Sequence, residues 1–358
     1  MLFFELIQVA LCNRDRLSTT PSVEEWMEIY AESKRQAVTG IVLHGIDRLP
    51  AEQRPPQPIL LQWIGVGQLI EQQNRLLDVR CVELLSRLKD AGLHGTILKG
   101  QGVARLYDNE LQTLRQSGDI DVYVNCGINK VLTFAKSQGQ NKIDWDYKHL
   151  HLNLWNDVDV EMHYRVEVLL NLCKNWRLQK WFIDNSSLLY SKKVGITTPT
   201  ALFNVFYILL HIYRHFLYEG VGLRQIIDYY FVLKAINCEK RDFNYVLNAV
   251  SQFGMEHFAK GLMWVMQETL GMPKEWMFWV PDQEEGKYIL SQVMQGGNFG
   301  HHDNRLTHET GRLNTVKQVC RHNWHMMGHY PAEVIWAPVW FLWHKCWKLK
   351  TKLLLSIR

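Results

Sequence analysis

The chain has 358 residues, of which 47% are hydrophobic and 12% aromatic, so it can bury one large core or two smaller ones and is not intrinsically disordered. Its 40 basic and 36 acidic residues give a net charge of +4, which is too balanced to argue for nucleic-acid binding by bulk electrostatics, and no stable nucleic-acid partner is expected. Seven cysteines lie scattered along the chain without a Cys-x-x-Cys pair. They predict reduced core thiols in a cytoplasmic protein, and neither a disulfide framework nor a zinc site.

Residues 1–92 are predicted to form an N-terminal helical region. The opening segment MLFFELIQVALCNRDRL has no basic region ahead of its apolar stretch and no small-residue cleavage site, so a buried first helix is favoured over a signal peptide. Ser22 is a candidate cap for the helix that follows it. A long helix is then predicted from about residue 62 to Gly92, because glycine commonly ends a helix.

Residues 93–165 change character and are predicted to form an α/β core. The run GTILKG is short, apolar and bounded by glycines, while DIDVYVN, HLHLNLW and VDVEMHY alternate with period two. The dipeptide ND between the last two runs is a turn signal. One short helix is predicted between the first two strands, and INKVLTFAKSQG is predicted to form another after the second strand.

Residues 166–358 are predicted to be helical throughout. The fold class is therefore α+β, with a small mixed sheet embedded in a mostly helical protein. The late stretch YPAEVIWAPVWFLWHKCW contains two prolines and a glutamate and is too short for a bilayer span, so no transmembrane segment is predicted. The following KLKTKLLLSIR could contact an anionic membrane surface, although a last helix with a solvated basic face is the favoured interpretation.

The run DIDVYV places Asp119 and Asp121 on one face of a strand, since alternate residues project to the same side. Two neighbouring carboxylates repel each other, but a divalent cation between them makes the arrangement tolerable. A third carboxylate commonly holds a second ion, and Asp159 and Glu161 share a face of the later strand. The alternative interpretation is a pair of solvent-exposed residues on an edge strand.

Four segments together resemble the bacterial nucleotidyltransferase family often described as uncharacterised, a branch of the DNA polymerase beta-like superfamily. These segments are ILKG, GVARLY, RQSGDIDVYV and VDVEMHYR. The superfamily pattern is a strand ending in Gly-Gly or Gly-Ser, a helix, an Asp-x-Asp strand and a third acidic strand. In this branch the first element reads Lys-Gly and an arginine precedes Gly-Asp-x-Asp, which correspond here to Lys99, Gly100, Arg115, Gly118, Asp119 and Asp121.

The resemblance implies a Mg²⁺-dependent transfer of a nucleoside monophosphate from an NTP to a hydroxyl acceptor, with two ions. Asp119, Asp121 and Glu161 would be the catalytic and metal-binding residues, and the family's Glu-x-His pattern is the reason for preferring Glu161 to Asp159. Glu161 would also accept a proton. Nucleotide binding would fall to Lys99, Gly100, Gly102, Arg115 and Gly118. For Lys99 the alternative is a surface lysine at a strand end, and for Arg115 it is a salt bridge to the aspartates.

Several histidines are further candidates. His163 and the helical residues His211, His215, Arg224 and Asp228 would line the cleft, as the resemblance of HIYRHFLYEGVGLRQIIDYYFVL to the family's helical half implies. A polar seam between helices is the alternative for the helical group. His149 and His151 share a strand face, but the histidines lack the spacing typical of a dedicated transition-metal site.

One position departs from the superfamily pattern, because Gln101 stands where a Ser or Gly normally follows the first glycine. Gly102 is the candidate to allow close approach of phosphate. Two function classes follow: a nucleotidyltransferase acting on a protein, small molecule, sugar or RNA, or a non-catalytic nucleotide-binding or interaction protein on the same fold. Intact Asp119, Asp121 and Glu161 favour the enzyme, whereas Gln101 favours the alternative. Removing both aspartate charges is expected to abolish turnover and leave the fold intact or slightly more stable.

Overall fold

Helices dominate the secondary structure. The computed structural model describes residues 1–193, 195–237, 243–298 and 326–356. Within these residues the α-helices, numbered in chain order, are Leu2–Ala10 (α1), Val23–Arg35 (α2), Thr39–Arg48 (α3), Gln57–Asp90 (α4), Gln101–Ala104 (α5), Asn109–Gln112 (α6), Ile128–Ser137 (α7), Leu172–Asp184 (α8), Ala201–Tyr218 (α9), Leu223–Asn237 (α10), Asn244–Gln252 (α11), Glu256–Leu270 (α12), Gln283–Gly296 (α13), Pro331–Val334 (α14) and Trp336–Ser356 (α15). The strands are Gly95–Ile97 (β1), Ile120–Val124 (β2), His149–Leu152 (β3), Val160–His163 (β4), Ser191–Lys193 (β5) and Ile196–Thr198 (β6).

The first four strands form one mixed sheet in the order β1-β2-β4-β3. The central strands β2 and β4 run parallel, while each outer strand is antiparallel to its neighbour. Ile120, Val122 and Val124 alternate with the aspartates along β2 and are buried, as the period of two predicts. The α+β class, with a small mixed sheet in a mostly helical chain, is confirmed.

The chain divides into two compact units. The helical unit comprises Met1–Val79, Gln101–Ser117 and Ala201–Asp303, and the sheet unit comprises Arg80–Gly100, Gly118–Thr200 and Asn304–Arg358. A boundary between them falls within α4, after Val79. The division of the sequence at residues 92 and 165 stays a prediction.

The core of the helical unit is built around α9 and α10, which pack against each other. Nearly every side chain of α9 is buried, as expected of a helix that is apolar on all sides. In the same unit α1 packs against α3 and α12, and α13 packs against α12. Helix α12 also contacts α10, and α11 contacts α9.

Two helix ends carry the residues that the sequence predicted for them, a cap at the start of α2 and a glycine after the end of α4. The hydroxyl of Ser22 accepts a hydrogen bond from the Glu25 backbone N–H, while the Glu25 carboxylate accepts one from the Ser22 N–H, so α2 begins with a capping box. The long helix α4 ends at Asp90, and Gly92 follows with φ of 71°. A left-handed φ of this kind is open to glycine at little cost, and it turns the chain towards β1.

Two local predictions are wrong. Residues beyond 166 were expected to be helical throughout, but β5 and β6 form an antiparallel hairpin in the sheet unit. Strands of three residues carry too little alternation to be recognised against a helical background. The single helix expected between the first two strands is instead two one-turn helices, α5 and α6.

The cysteines are less buried than a set of core thiols should be. Cys81 is buried and Cys126 is partly buried, but Cys12, Cys173 and Cys346 are exposed, so the prediction of core positions is wrong for these three. All five are free thiols. Cys238 and Cys320 lie outside the described residues.

The last helix, α15, uses its aromatic side chains to pack within the sheet unit. The rings of Trp340, Trp343 and Trp347 lie 5.4, 4.9 and 5.0 Å from the ring of Tyr147, each edge to face. The exposed side of this helix carries apolar residues such as Leu342 as well as lysines. In the described part of the chain, no helix is long and apolar enough to cross a bilayer.

Candidate functional site

The register between β2 and β4 brings the acidic residues of the two strands side by side. Asp121 is paired with Glu161, and Tyr123 is paired with His163. Neighbouring strands lie about 4.8 Å apart, and paired residues project to the same face. The parallel pairing therefore aligns side chains that are 40 residues apart in the sequence on one surface of the sheet.

Three carboxylates converge on this surface. One oxygen from each of Asp119, Asp121 and Glu161 lies within 4.8 Å of the other two. Asp121 is buried and the Glu161 side chain is largely buried, whereas Asp159 is exposed. The backbone of Asp159 accepts a hydrogen bond from the Ile120 N–H, which fixes the strand pairing next to the site.

Lys99 provides a positive charge for this cluster. Its Nζ lies 2.8 Å from Oδ1 of Asp121, and only 17% of its side chain is exposed. Burial acts to lower the pKa of Lys99, but the charges of Asp121, Asp119 and Glu161 outweigh burial and raise that pKa above its ordinary value. Lys99 is therefore held as a cation beside the carboxylates, and is not the surface lysine of the alternative interpretation.

The two aspartates differ in how their charge is balanced. Burial acts to raise the pKa of Asp121, but Lys99 and a bond from His163 hold that pKa well below its ordinary value. The pKa of Asp119 is raised, chiefly by the charge of Asp121 and then by burial. Asp119 thus carries the repulsion that the Asp-x-Asp pattern predicts, and Asp121 is the compensated partner.

The oxygens of this cluster fit a divalent cation. Mg²⁺ is bound by one or two carboxylates together with water and substrate phosphates, and this set offers three carboxylates. An added positive charge would also relieve the repulsion felt by Asp119.

His163 anchors the other side of the cluster. It is fully buried, and its Nε2 lies 2.8 Å from Oδ1 of Asp121 and 3.3 Å from Oε2 of Glu161. Burial acts to lower the pKa of His163, but its bonds to Asp121 and Glu161 raise it. The same partners, with Lys99, hold the pKa of Glu161 below its ordinary value despite burial. His163 thus orients both carboxylates from the strand on which Glu161 itself lies.

A second histidine extends the cluster along the sheet. Nδ1 of His149 lies 3.5 Å from Oε2 of Glu161, and one ligand atom from each of His149, Glu161 and His163 lies within 4.8 Å of the others. Burial and then the charge of His163 lower the pKa of His149 to about 4. His151, its neighbour on the same face, is exposed. Antiparallel pairing of β3 with β4 produces this contact, which histidine spacing along the chain did not predict.

The turn after β1 requires a glycine. Gly100 has φ of 51°, and a Cβ at this residue would lie 3.6 Å from the Asp119 carbonyl oxygen. The left-handed conformation, more than the available space, favours glycine here. A Cβ at Gly118 would meet no atom of the described residues within 4 Å beyond its chain neighbours, so space does not explain the glycine before Asp119.

Gln101 belongs to the helical unit, where its side chain is buried in a polar network. Its Nε2 donates to Oδ1 of Asp78 at 2.7 Å, and its Oε1 accepts from the Ser117 hydroxyl at 2.9 Å. The Ser117 hydroxyl also lies 2.7 Å from Oδ1 of Asn74, so the two amide oxygens share its single proton. Gly102 is buried within α5. The residue that departs from the superfamily pattern therefore holds α4, α5 and the segment before Gly118 together within this unit.

Arg115 is also in the helical unit and forms a two-pronged ion pair with Asp228. Nε and Nη2 of Arg115 lie 2.6 and 2.8 Å from the two carboxylate oxygens, and the Tyr107 hydroxyl donates to the same carboxylate at 2.7 Å. All three residues are buried. Burial acts to lower the pKa of Arg115, but Asp228 raises it above its ordinary value. The partner of Arg115 is thus Asp228, and its role in phosphate binding stays a prediction.

The remaining helical candidates lie on α9 and α10, in the same unit as Arg115. The rings of His211 and His215 are 4.2 Å apart, and both side chains are buried. Nδ1 of His215 lies 2.7 Å from Glu219, and Arg224 donates to the Gln116 carbonyl at 3.0 Å. These contacts form a polar seam among buried helices, and a role for the group in ligand binding stays a prediction.

Sequence reasoning missed the partners that hold these residues in place. Asn74 and Asp78 take part in hydrogen bonds but belong to no motif, while Tyr107 and Ser117 lie in the GVARLY and RQSGDIDVYV segments without an assigned role. Asn74 and Asp78 are four residues apart on α4, so they lie on one helix face, which is a weak signal that could have been noticed. The pairing of Arg115 with Asp228 spans 113 residues and has no local signature.

Comparison with known proteins supports the same family. A family model described as "Uncharacterised nucleotidyltransferase" matches residues 22–271, which is more than half of the chain and includes β1 to β4 with all three carboxylates. No curated protein and no solved structure shows significant similarity to the chain. The bacterial origin and cytoplasmic location stay predictions. Because the match spans more than half of the chain, the chain belongs to the uncharacterised nucleotidyltransferase family.

Proposed function

We propose that the protein is a Mg²⁺-dependent nucleotidyltransferase that moves a nucleoside monophosphate from an NTP to a hydroxyl acceptor. The observation that carries this proposal is the convergence of Asp119, Asp121 and Glu161 within 4.8 Å, beside the cation of Lys99. Family membership supports nucleotidyl transfer in general. The acceptor class, whether protein, small molecule, sugar or RNA, does not follow from the fold.

The chain's residues have distinct roles in this proposal. Asp119, Asp121 and Glu161 would hold two Mg²⁺ ions, which when bound neutralise phosphate charge and stabilise the attacking and leaving oxygens. Lys99 adds a fixed positive charge near the phosphates, and Gly100 lets the backbone turn closely there. His163 orients Asp121 and Glu161 through its buried ring.

The reaction is balanced by one bond formed and one broken. The acceptor oxygen forms a bond to the α-phosphorus, the bond from that phosphorus to the bridging oxygen breaks, and pyrophosphate leaves. Glu161 is the proposed acceptor of the hydroxyl proton. Of the two carboxylates that contact His163, it has the longer contact, at 3.3 Å against 2.8 Å for Asp121, and it is the more exposed.

The alternative is a non-catalytic protein that binds a nucleotide or a partner on the same fold. Gln101 is the feature that favours it, because its side chain is committed to Asp78 and Ser117 and offers no hydroxyl to phosphate. The three carboxylates favour the enzyme, since a binding protein has no need for a repelling acidic pair.

We further propose that α15 makes a weak contact with an anionic membrane surface. Val339, Leu342 and Leu349 are exposed along one stripe of this helix, with spacings of three or seven residues. Lys345, Lys350 and Lys352 are exposed beside them, and residues 336–356 contain no acidic side chain. A second copy of the same stripe would bring like charges together, whereas anionic lipid complements them.

Thermal unfolding with and without metal tests the catalytic proposal. An NTP at about 100 times its Kd should stabilise the protein by about 2.7 kcal/mol, but only when Mg²⁺ is present. Asp119→Asn should lose this stabilisation. Equal stabilisation without metal, or in the variant, would support the non-catalytic alternative.

A further inference from the structure

A cavity of about 780 Å³ opens within the sheet unit, beyond the carboxylate cluster. This volume lies within the range of small-molecule sites, roughly 300–1,000 Å³. The end of β2, the start of α7, and helices α8 and α15 form its walls. Most of the lining is aromatic or aliphatic, and its aromatic residues include Tyr123, Tyr147, Trp176, Phe182, Trp343 and Trp347.

The cavity begins on the same sheet face as the carboxylates. Tyr123 follows Asp121 by two residues on β2, which corresponds to a shift of about 7 Å along the strand. Tyr123 is paired across the sheet with His163, the histidine that contacts Asp121 and Glu161. A molecule in the cavity therefore lies within reach of a group held at the carboxylates.

Among the described residues that line the cavity, one is a cation and none is a carboxylate. The Arg165 guanidinium lies 3.8 Å from the centre of the Tyr147 ring and donates to the Tyr147 carbonyl at 2.6 Å. It forms one edge of an aromatic wall, in the manner of a cation–π pair. Such a wall suits the face of a ring and does not select for a positively charged ligand.

Two polar side chains of the lining are already engaged in hydrogen bonds within the protein. Asn175 accepts from the Leu169 N–H at 3.1 Å, and Gln179 donates to the Glu167 carbonyl at 2.9 Å. The outer edge of the cavity exposes apolar groups, since Trp176 is 70% exposed, Ile183 71% and Leu354 56%. This combination favours a hydrophobic ring over a base with hydrogen-bonding edges.

We propose that this cavity binds the acceptor, and that the acceptor is a hydrophobic ring-bearing alcohol, either a phenol or an alicyclic alcohol. The inference rests on the proposed nucleotidyl transfer. The ring lies against the wall formed by Tyr147, Trp343 and Trp347, and its hydroxyl points along β2 towards Asp121. The oxygen bonds to the α-phosphorus, pyrophosphate leaves, and the hydroxyl proton passes to Glu161, giving a nucleoside monophosphate ester of the alcohol.

Calorimetric titration of naphthol into the full chain, without nucleotide, tests the cavity. Trp176→Ala removes an exposed wall residue and should weaken binding about tenfold, as loss of an aromatic anchor does. Asn129→Trp, at an exposed position in the lining, should block binding without disturbing the core. Phe341→Ala is the matched control, because Phe341 is 57% exposed on α15 but outside the lining, and it should bind as the wild type does.

The outcomes separate the cavity from the catalytic proposal. Asp119→Asn should bind naphthol as the wild type does. If the wild type binds naphthol but catalyses no nucleotidyl transfer, the proposed function fails and the cavity assignment stands. No binding of naphthol, or equal binding by wild type, Trp176→Ala and Asn129→Trp, would overturn the cavity assignment. Binding of adenosine or methyl glucoside in preference to naphthol would overturn the assigned chemical class.

Discussion

Asp119 and Asp121 share one face of β2 but differ in the groups that balance their charges. From the sequence, removing both charges was expected to relieve repulsion and preserve stability. In the structure, only the replacement of Asp119 is expected to relieve the repulsion, because the charge of Asp121 is balanced by Lys99 and His163. Replacing Asp121 removes the closest partner of the largely buried Lys99 ammonium, and the cost of weakening that ion pair outweighs the relief.

The two single substitutions should therefore differ in stability. Asp119→Asn is expected to leave the free energy of unfolding unchanged or slightly higher, whereas Asp121→Asn should lower it by about 2 kcal/mol. Urea unfolding of the metal-free proteins measures both values. Equal stability of the two variants would show that Lys99 does not depend on Asp121.

Glu161 and Asp159 offer a matched pair for testing the third carboxylate. Glu161→Gln should reduce nucleotidyl transfer by about a hundredfold or more, because it removes both a metal ligand and the proposed proton acceptor. Asp159→Asn, at an exposed residue of the same strand face, should keep nearly full activity. Steady-state rates at saturating Mg²⁺ provide the comparison, and an active Glu161→Gln beside an inactive Asp159→Asn would reverse the assignment.

Arg115 and Asp228 form a buried ion pair in the helical unit. Asp228→Asn should lower the free energy of unfolding by about 3 kcal/mol, because it leaves the guanidinium buried with a weakened partner. Asp184→Asn is the control, since its pair with Lys180 is exposed, and it should change stability by less than about 0.5 kcal/mol. Similar effects of the two substitutions, measured by urea unfolding, would contradict a structural role for Arg115.

The acidic residues could be recognised from the sequence, but the contacts that hold them in place could not. Alternation in DIDVYV and VDVEMHY was sufficient to place Asp119, Asp121 and Glu161 on strand faces. It contained no information about the contact of Lys99 with Asp121, because that contact depends on the antiparallel pairing of β1 with β2. The network of Gln101 with Asn74, Asp78 and Ser117 was equally hidden, since side chains from three segments meet there without a shared pattern.

At the scale of elements, period and capping predicted most of the fold. The long helix α4 and the strands β1 to β4 lie close to their predicted ranges, because each combines a clear period with glycine or turn residues at its ends. The hairpin of β5 and β6 was missed because each strand has only three residues. The order of the strands depends on tertiary packing and could not be derived from the alternation within any one strand.

Helix α15 presents an exposed face that combines leucines with lysines, which leads to a binding prediction. The protein should sediment with phosphatidylglycerol vesicles and not with phosphatidylcholine vesicles, and binding should weaken with salt. Replacing Lys345, Lys350 and Lys352 by Gln should reduce the affinity by about a hundredfold, at about 1 kcal/mol for each lysine.

Matched leucine variants separate the face of α15 from general hydrophobicity. Leu342→Glu should reduce vesicle binding strongly, whereas Leu69→Glu, at a comparably exposed leucine on α4, should not. Binding that is insensitive to Leu342→Glu, or equally strong with both lipids, would contradict the proposed contact.

At the scale of the whole molecule, the family match and the proposed acceptor cavity cover different parts of the chain. The match ends at residue 271 and contains the carboxylates, Lys99 and the helical residues up to Asp228. The cavity takes one wall from α15, which lies beyond the matched range. The transfer chemistry is thus assigned to the part of the chain shared with the family, while acceptor choice depends partly on residues outside it.

The central claim is nucleotidyl transfer at Asp119, Asp121 and Glu161, and the position of a radiolabel tests it most directly. The protein is incubated with Mg²⁺, an acceptor mixture from a cell lysate, and each NTP labelled at either the α- or the γ-phosphate. The wild type should transfer the α-label to an acceptor and release the γ-label as pyrophosphate, and Asp119→Asn should do neither. Transfer of γ-label to an acceptor, or α-label transfer that persists in Asp119→Asn, would contradict the central claim.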